Sequence, residues 1–273
     1  MTLEISGLTV SIGSSEILHG VDLRLAAGQI QGLAGESGSG KTMTGLAVLG
    51  LLPTGAGVGG SIRYAGRELL TLAPRDRNAL RGTEIAMVFQ DPSTSLHPML
   101  SIGAQLTDHL RHHLRLDRSA ARTRAEELLD RVKIPDPAHA LRRFPHQFSG
   151  GQRQRIAIAI ALACAPKVLI ADEPTTALDV TVQAGVLHLL RELATEMGLA
   201  VLLVTHDLGV LSAVADRVAV MRGGEVVEEG GRAQVFTAPA HPYTAALLAS
   251  LPGAAHGVRS LEDVRALREA AGE

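Results

Sequence analysis

Gly35-Glu36-Ser37-Gly38-Ser39-Gly40-Lys41-Thr42 is a complete G-x-x-x-x-G-K-[ST] phosphate-binding loop, and its surroundings decide the fold. Residues 29–34 before it form an apolar run that predicts a short strand. Residues 43–52 after it form an apolar run that predicts a helix ending near Pro53. A strand, a glycine-rich loop and a helix in this order aim backbone N–H groups and a helix N-terminus at a polyphosphate. The stretch therefore predicts a nucleotide site.

The residue types of this loop favour phosphate binding over the alternative, a flexible glycine turn. Glycines tolerate positive φ and allow the main chain to curl around an anion. The Lys41 ammonium would reach the β- and γ-phosphates, and the Thr42 hydroxyl would bind Mg²⁺. The predicted nucleotide-contacting residues of the loop are Gly35, Ser37, Gly38, Ser39, Gly40, Lys41 and Thr42.

A second apolar strand, residues 168–171, ends in the two carboxylates Asp172 and Glu173. Ligands of α/β proteins bind at the carboxyl ends of such buried parallel strands. Asp172 would help to hold Mg²⁺, and Glu173 would act as the general base on an attacking water. The alternative is a strand capped by two solvated acids, which the phosphate-binding loop makes less favoured.

Composition excludes several classes of protein. The chain has 273 residues, of which 46% are hydrophobic, so it can bury a large core. Its net charge of −2 argues against a dedicated nucleic-acid binder. Cys164 is the single cysteine, which excludes an intramolecular disulfide framework and Cys-ligated zinc or iron–sulfur sites, and fits a reducing compartment.

Apolar strands alternate with helical periodicity, most clearly at 181–197, and this predicts an α/β fold with a largely parallel core sheet. A hairpin is expected around Gly223-Gly224. Residues 91–162 contain no strand pattern and predict a helical insert, and 261–270 predicts a last charged helix. The predicted strands are 3–10, 29–34, 61–64, 84–89, 168–171, 200–205, 218–221 and 225–229.

The sequence predicts no membrane-spanning segment and no signal peptide. Its N-terminal residues begin directly with a strand pattern. Its longest apolar run, 156–171, is interrupted by Pro166 and Lys167 and is shorter than the ~20 residues that a bilayer requires. We expect a protein that does not cross a membrane by itself, although it could bind a membrane partner.

Ser149-Gly150-Gly151-Gln152 opens a further predicted helix. Serine is a good N-cap, and the two glycines leave N–H groups open to an anion. A capped helix start with a flexible hinge is the alternative for this short motif alone.

Together, these motifs resemble the ATP-binding subunits of ABC transporters. Phe148-Ser149-Gly150-Gly151-Gln152 is similar to their signature motif, and Gln90 after strand 85–89 is similar to the Q-loop. Ala177-Leu178-Asp179 resembles the D-loop, and His206 resembles the switch histidine. The resemblance implies a P-loop ABC-type ATPase core (1–235) with a parallel sheet, N-terminal antiparallel strands and a helical subdomain (about 91–162), followed by a C-terminal tail (236–273).

The resemblance also implies roles for these residues with ATP and Mg²⁺. ATP would lie between two subunits, with Ser149, Gly150, Gly151 and Gln152 contacting it in trans and His206 in cis. Asp179 would link the two sites, and Gln90 would join Thr42 and Asp172 around Mg²⁺.

The resemblance further implies that Glu173, His206 and Gln90 are the catalytic residues. Ile12 would replace the usual adenine-stacking aromatic residue, which leaves ATP versus GTP selectivity open. A helix-capping role is the alternative for His206, and Asp207 could cap the next helix.

Two further stretches are similar to the dipeptide, oligopeptide and nickel importers of that family. They are residues 91–98 and the tail run His241-Pro242-Tyr243-Thr244. The resemblance implies an ATPase at the cytoplasmic face of the inner membrane that powers import of a peptide or nickel. Its partners would be two transmembrane permeases, a second ATPase (self or paralogue) and, indirectly, a solute-binding protein, with no nucleic acid.

Two other classes of protein are alternatives to a transporter ATPase. A soluble ABC ATPase acting on nucleic acid or ribosomes usually has long inserts, paired ATPase domains or basic arms, which this sequence lacks. The third class is a regulatory module with a catalytically inactive nucleotide site. The presence of Lys41 and Glu173 argues against this class. His109, His112 and His113 could bind metal, although solvated or packing roles are favoured.

Overall fold

The computed structural model of the chain describes residues 2–176 and 178–250, and Cα positions divide the chain into two compact units. Of the described residues, 2–70 and 202–250 belong to the first unit, and 71–176 and 178–201 belong to the second. The strands are β1 (Leu3–Ile12), β2 (Ser15–Leu25), β3 (Ile30–Gly35), β4 (Gly57–Tyr64), β5 (Arg67–Glu68), β6 (Ile85–Val88), β7 (Val168–Asp172), β8 (Ala200–Val204), β9 (Arg217–Arg222) and β10 (Glu225–Gly231).

Nine helices lie between strands and two follow β10 in the described residues, with a 3₁₀ turn at Pro145–Gln147. They are α1 (Lys41–Leu49), α2 (Pro74–Leu80), α3 (Pro92–Ser95), α4 (Ile102–Leu114), α5 (Arg118–Arg131), α6 (Pro137–Ala140), α7 (Gly150–Ala161), α8 (Val180–Met197), α9 (Leu208–Val214), α10 (Arg232–Thr237) and α11 (Pro242–Ala249).

An antiparallel sheet in the order β2-β1-β4-β5 occupies part of the first unit. Strand β1 buries alternate side chains except at a bulge, where the register shifts between Ile5 and Leu8. Gly7 lies in this bulge with φ 55° and donates its N–H to Asp22 Oδ1 at 2.9 Å. The bulge lets Ile5 and Leu8, three residues apart, both face the core.

The second sheet of this unit places β3 beside β9 in the order β10-β9-β3-β8. Strands β3 and β9 are parallel, with Gly35 opposite Met221, and β9 and β10 form the expected antiparallel hairpin. Every residue of β3 is buried. A strand buried on both faces packs against other elements on each side, which explains its apolar sequence.

The second unit combines two parallel strands with a group of helices. Strands β6 and β7 pair with Val88 opposite Ala171. Between them the chain forms α3 to α7, and no residue described between β6 and β7 belongs to a strand. The apolar side chains Leu106 and Leu110 of α4 and Leu128 and Leu129 of α5 are buried, so these helices share a core.

The last helix described, α11, is tied to β10 through a buried carboxylate. Glu228 Oε1 accepts the Ala240 N–H at 2.8 Å, and Oε2 accepts the His241 N–H at 3.0 Å. Burial by itself raises the pKa of Glu228, but the Thr244 hydroxyl and these two N–H groups outweigh burial and hold that pKa below its usual value. The carboxylate therefore stabilises the start of α11 in its charged form.

The α/β fold class predicted from sequence is confirmed, with antiparallel N-terminal strands and parallel pairs in both units. Two strands were missed: β2, whose alternating run Val21 to Leu25 is short and follows a stretch without alternation, and β5, which contains only two residues. The helix expected at 261–270 lies outside the described residues. Among the described helices, none has the length and apolar character needed to cross a bilayer.

We expect Leu106→Ala to lower the free energy of unfolding by about 3 kcal/mol, because it removes a fully buried side chain and leaves a cavity between α4 and its neighbours. Leu114→Ala on the same helix is the matched control, since Leu114 is 43% exposed. Urea denaturation measures both. Equal losses for the two variants would contradict this description of the α4 core.

We expect the stabilising effect of Glu228 to depend on pH. A carboxyl whose pKa is lowered by folding stabilises the fold above its unfolded pKa, and this contribution disappears as the pH falls through the folded value. Glu228→Gln should therefore lower the melting temperature at pH 7, with a difference from wild type that shrinks under acid. A difference that stays constant or grows as the pH falls would contradict the charged role, and Glu196→Gln at an exposed site is the control.

Candidate functional site

The phosphate-binding loop begins where its backbone touches a neighbouring strand. Gly35 has φ 149°, and a Cβ atom there would lie 2.3 Å from the Met221 carbonyl oxygen and 2.7 Å from Ser39 Oγ. No side chain can fit at this distance, so glycine is required at this position. Gly38, by contrast, has φ 81° and open space around its Cα.

Lys41 folds back over the loop that precedes it. Its Nζ atom donates hydrogen bonds to the carbonyl oxygens of Gly35 and Glu36, both at 2.8 Å. Although lysine is normally exposed, Lys41 is only 6% exposed. The loop thus holds a buried positive charge at the first residue of α1, where a polyphosphate would need one.

The N-terminus of α1 is built to receive an anion. Gly40, with φ 102°, occupies the cap position and offers no side chain to cap the helix, and the first turn contains no acidic residue. Ser39 Oγ is buried and has no hydrogen-bond partner among the described residues. A phosphate oxygen would satisfy both the helix N-terminus and this hydroxyl, so the loop fits the nucleotide that its sequence predicts.

His206 lies at the same end of its sheet as the phosphate-binding loop. Thr205 N–H donates to the Leu33 carbonyl at 3.1 Å, which places residue 206 just beyond the carboxyl end of β8. Asp207 Oδ1 accepts the N–H groups of Gly209 and Val210 and caps α9. The cap of α9 is therefore Asp207, as considered from the sequence, and His206 does not serve as that cap.

In the second unit, the two carboxylates and Gln90 meet at one sheet edge. Asp172 ends β7 and is 4% exposed, and Glu173 follows it directly. Because β6 and β7 are parallel with Val88 opposite Ala171, Gln90 lies beyond the same carboxyl edge as these acids. The arrangement is the one that ligand-binding α/β sheets use.

Glu173 adopts a strained backbone conformation. Its φ is 47°, in the left-handed region that non-glycine residues rarely occupy. Thr176 Oγ1 donates to Glu173 Oε2 at 2.7 Å, and Thr176 N–H donates to the Glu173 carbonyl at 3.2 Å. This local turn orients the carboxylate, and strain of this kind is concentrated at functional sites.

The predicted signature helix starts as the sequence indicated. Ser149 Oγ accepts the Gln152 N–H at 3.3 Å, and Gln152 Oε1 accepts the Ser149 N–H at 3.1 Å, which together form a capping box. A Cβ at Gly151 would lie 2.2 Å from Val182 Cγ1, so this glycine lets α7 and α8 pack closely. Ser149 itself is exposed.

Two other predicted site residues, Asp179 and Ile12, lie at the ends of secondary-structure elements. Asp179 caps α8, since its Oδ1 atom accepts the Val182 N–H at 2.9 Å, while Ala177 lies outside the described residues. Ile12 is half-buried at the end of β1, beside the turn at Gly13. Their predicted contacts with a nucleotide or a second subunit stay predictions.

The histidines of α4 pack against one another. The ring centroids of His109 and His113 lie 4.7 Å apart, and those of His112 and His113 lie 4.8 Å apart. Burial, followed by the neighbouring imidazoles, lowers the pKa values of His109 and His113. Within residues 2–176 and 178–250, no group of three His, Cys, Asp or Glu side chains is arranged to hold a metal ion.

Sequence reasoning missed one residue near the phosphate-binding loop. The Tyr243 hydroxyl lies beside Glu36, although the two residues are far apart in the chain. The run His241-Pro242-Tyr243-Thr244, which is similar to the tail of the peptide and nickel importers, is the sequence feature that could have indicated this residue.

Comparison with known proteins agrees with these features. A family model described as ABC transporter matches residues 18–176, and one described as oligopeptide/dipeptide transporter, C-terminal region, matches residues 227–271. The oligopeptide transport ATP-binding protein OppD of Bacillus subtilis is 46% identical over 256 residues, covering 92% of this chain and 72% of OppD. A provisionally named peptide import ATP-binding protein of Brucella abortus is 51% identical over 255 residues, covering 92% of this chain and 77% of that protein.

Solved structures give the same assignment. CbiO1 of Clostridium perfringens, part of the ABC transporter complex cbiONQ, superposes with a TM-score of 0.76 at 28% identity, covering 87% of this chain and 91% of cbiO1. The dimeric ATP-binding cassette MJ0796, in a post-hydrolysis state with ADP and Pi, superposes with a TM-score of 0.73 at 30% identity, covering 84% of this chain and 98% of that cassette. The chain therefore belongs to the ABC transporter family, as one of its ATP-hydrolysing subunits.

Proposed function

We propose that this chain is the ATPase subunit of an ABC importer for peptides. The C-terminal match to oligopeptide/dipeptide transporters and the names of the relatives support peptide as the solute rather than nickel, the other solute that the sequence had left open. The observation that carries the ATPase assignment is the buried Lys41 at an α1 N-terminus without a side-chain cap.

In this proposal, the phosphate-binding loop holds the β- and γ-phosphates of ATP. The α1 N–H groups and the Ser39 hydroxyl donate to phosphate oxygens, and Lys41 exchanges its two carbonyl partners for phosphate. The negative charge of the nucleotide compensates the buried ammonium, which supports tight binding. Ile12 would contact the adenine through apolar packing.

Hydrolysis then requires a base and a charge-stabilising metal. Glu173 would accept a proton from water as the water oxygen attacks the γ-phosphorus, and the bond to the β–γ bridging oxygen breaks to release ADP and phosphate. Thr42, Gln90 and Asp172 supply hydroxyl, amide and carboxylate oxygens, the donor types that Mg²⁺ prefers, and the metal would neutralise charge on the phosphates. His206 would contact the γ-phosphate and sense its loss.

The nucleotide would also join two ATPase subunits. The α7 N-terminus, residues Ser149 to Gln152, would close over the ATP held by a second subunit, and Asp179 would link the two sites. The Ser149 hydroxyl oxygen already accepts from Gln152, which leaves its hydrogen available for a phosphate oxygen. Loss of the γ-phosphate would remove the anion that holds the two subunits together.

The remaining partners follow from the importer assignment. The second ATPase would be a copy of this chain or a paralogue, and the pair would drive two transmembrane permeases supplied by a solute-binding protein. The helical segment of residues 91–162 and Gln90 would contact the permeases, while residues 236–273 would form the C-terminal tail of a 1–235 ATPase domain. In this proposal, the chain would lie at the cytoplasmic face of the inner membrane as a peripheral subunit.

We expect Glu173→Gln to bind ATP with wild-type affinity but to lose turnover, because the amide cannot accept the proton of the attacking water. ATP would then persist between subunits, so gel filtration with Mg-ATP should show a stable dimer. Phosphate release and equilibrium ATP binding measure the two effects, with Glu196→Gln as an exposed control on α8. Full hydrolysis by Glu173→Gln would exclude Glu173 as the base.

We expect the chain, purified with its permeases and reconstituted into proteoliposomes with the solute-binding protein, to drive ATP-dependent uptake of labelled di- or oligopeptides. Lys41→Ala should abolish this uptake because the phosphates lose their principal cation. Labelled Ni²⁺ offered in parallel tests the other solute. Uptake of Ni²⁺ without peptide would overturn the peptide assignment while leaving the ATPase in place.

A further inference from the structure

The start of helix α11 is fixed by hydrogen bonds that originate on β10. Glu228 accepts the N–H groups of Ala240 and His241, and His241 Nδ1 accepts the Tyr243 N–H at 3.1 Å. Pro242 occupies the first helical position, where its fixed φ suits the helix start. Thr244 is fully buried. The backbone of Tyr243 is therefore held in one place by a buried carboxylate and a helix cap.

The Tyr243 ring extends from this anchor to the end of β9. The guanidinium carbon of Arg222 lies 4.9 Å from the ring centroid, within the range of a cation–π contact. Arg222 follows Met221, which pairs with Gly35, and Glu36 follows Gly35 on the adjacent parallel strand. Strand register thus places Arg222 one residue beyond the partner of Gly35, so the Tyr243 ring lies at the strand end from which the phosphate-binding loop leaves.

The Tyr243 hydroxyl completes this contact. Its oxygen is buried and has no hydrogen-bond partner among the described residues, while Glu36 is close enough for its backbone and carboxylate to act on the pKa of this hydroxyl. Burial raises the pKa of this hydroxyl, so it keeps its proton at neutral pH and can donate it. A buried hydroxyl near a carboxylate can donate a charge-assisted hydrogen bond to it.

Glu36 is a sensitive position in the loop. Its carbonyl oxygen accepts one of the two hydrogen bonds from Lys41 Nζ, and it also accepts the Ser39 N–H at 3.2 Å. A shift of Glu36 therefore moves the ammonium and the buried Ser39 hydroxyl together. A contact that fixes Glu36 also fixes both groups that would meet the phosphates.

We propose that Tyr243 is a positioning residue for nucleotide binding, through which the C-terminal segment 240–244 supports the phosphate-binding loop at Glu36. The segment stabilises the loop in its binding conformation before the nucleotide arrives, which lowers the ordering cost of binding. Tyr243 acts through Glu36 and does not touch the nucleotide itself. The inference rests on the proposed role of the phosphate-binding loop.

The test compares ATP affinity, turnover and folding stability in the full-length chain. Tyr243→Phe keeps the ring over Arg222 and removes only the hydroxyl, so it should raise the Kd for ATP about fivefold, the effect of one hydrogen bond. Its kcat at saturating ATP and its melting temperature should equal those of wild type. Calorimetric titration with ATP, a phosphate-release assay and thermal melts measure the three quantities.

A double-mutant cycle with Glu36→Gln tests whether the effect passes through Glu36. In the Glu36→Gln background, Tyr243→Phe should add little further loss of ATP affinity, because its partner is already weakened. The matched control is Tyr64→Phe at the only other tyrosine of the chain, which lies in β4 and should leave ATP affinity unchanged.

Three results would overturn the inference: a wild-type Kd for Tyr243→Phe, additive losses in the cycle, or a loss of affinity that only follows a loss of folded protein. Lys41→Ala separates this inference from the proposed function. If Lys41→Ala binds ATP normally, the phosphate-binding loop itself is wrongly assigned. If Lys41→Ala abolishes binding while Tyr243→Phe has no effect, only the role of Tyr243 is wrong.

Discussion

The phosphate-binding loop approaches strand β9 closely, and the positions of Lys41 and of the start of α1 depend on this close approach. At Gly35, a single Cβ would collide with the Met221 carbonyl, so the loop can leave β3 at this angle only with glycine. That exit brings the Gly35 and Glu36 carbonyls within reach of Lys41, which is then held almost without exposure. The position of the Lys41 ammonium therefore depends on the glycine at position 35, because this glycine sets where the two carbonyl groups lie.

Side chains cap the starts of α4 to α9 and of α11, but not those of α1, α2 and α10, and among these three only α1 has a buried lysine at its first residue. Ser149, Asp179 and Asp207 cap α7, α8 and α9 with their own side chains, whereas α1 begins at Gly40 without a side-chain cap. A helix N-terminus carries partial positive charge, and at α1 no carboxylate of the first turn offsets it. Polyphosphate is the natural complement of that end, which agrees with membership of an ATPase family.

The C-terminal segment and the phosphate-binding loop are far apart in the sequence but contact the same strand, β9. Glu228 uses its two carboxylate oxygens to hold the chain where α11 starts, and the Tyr243 ring of that helix lies against Arg222 at the end of β9. The residue before Arg222, Met221, pairs with Gly35 at the start of the loop. The region that matches peptide transporters is thereby held against the strand that also holds the phosphate-binding loop.

The sequence by itself determined the α/β class, eight of the ten described strands, helices α1, α7 and α8, the helical character of residues 91–162, and the chemical type of the site, because these depend on local patterns. Periodicity marks α8, glycine spacing marks the loop around Lys41, and an apolar run ending in two acids marks β7. The sequence did not reveal β2, whose alternating run is short, or the two-residue strand β5. Tertiary structure alone decided that Glu173 adopts φ 47°, that Ser39 Oγ is buried with no partner among the described residues, and that the Tyr243 ring lies against Arg222. These features arise from strand register and packing between residues far apart in the chain, and no local propensity encodes which distant groups will meet.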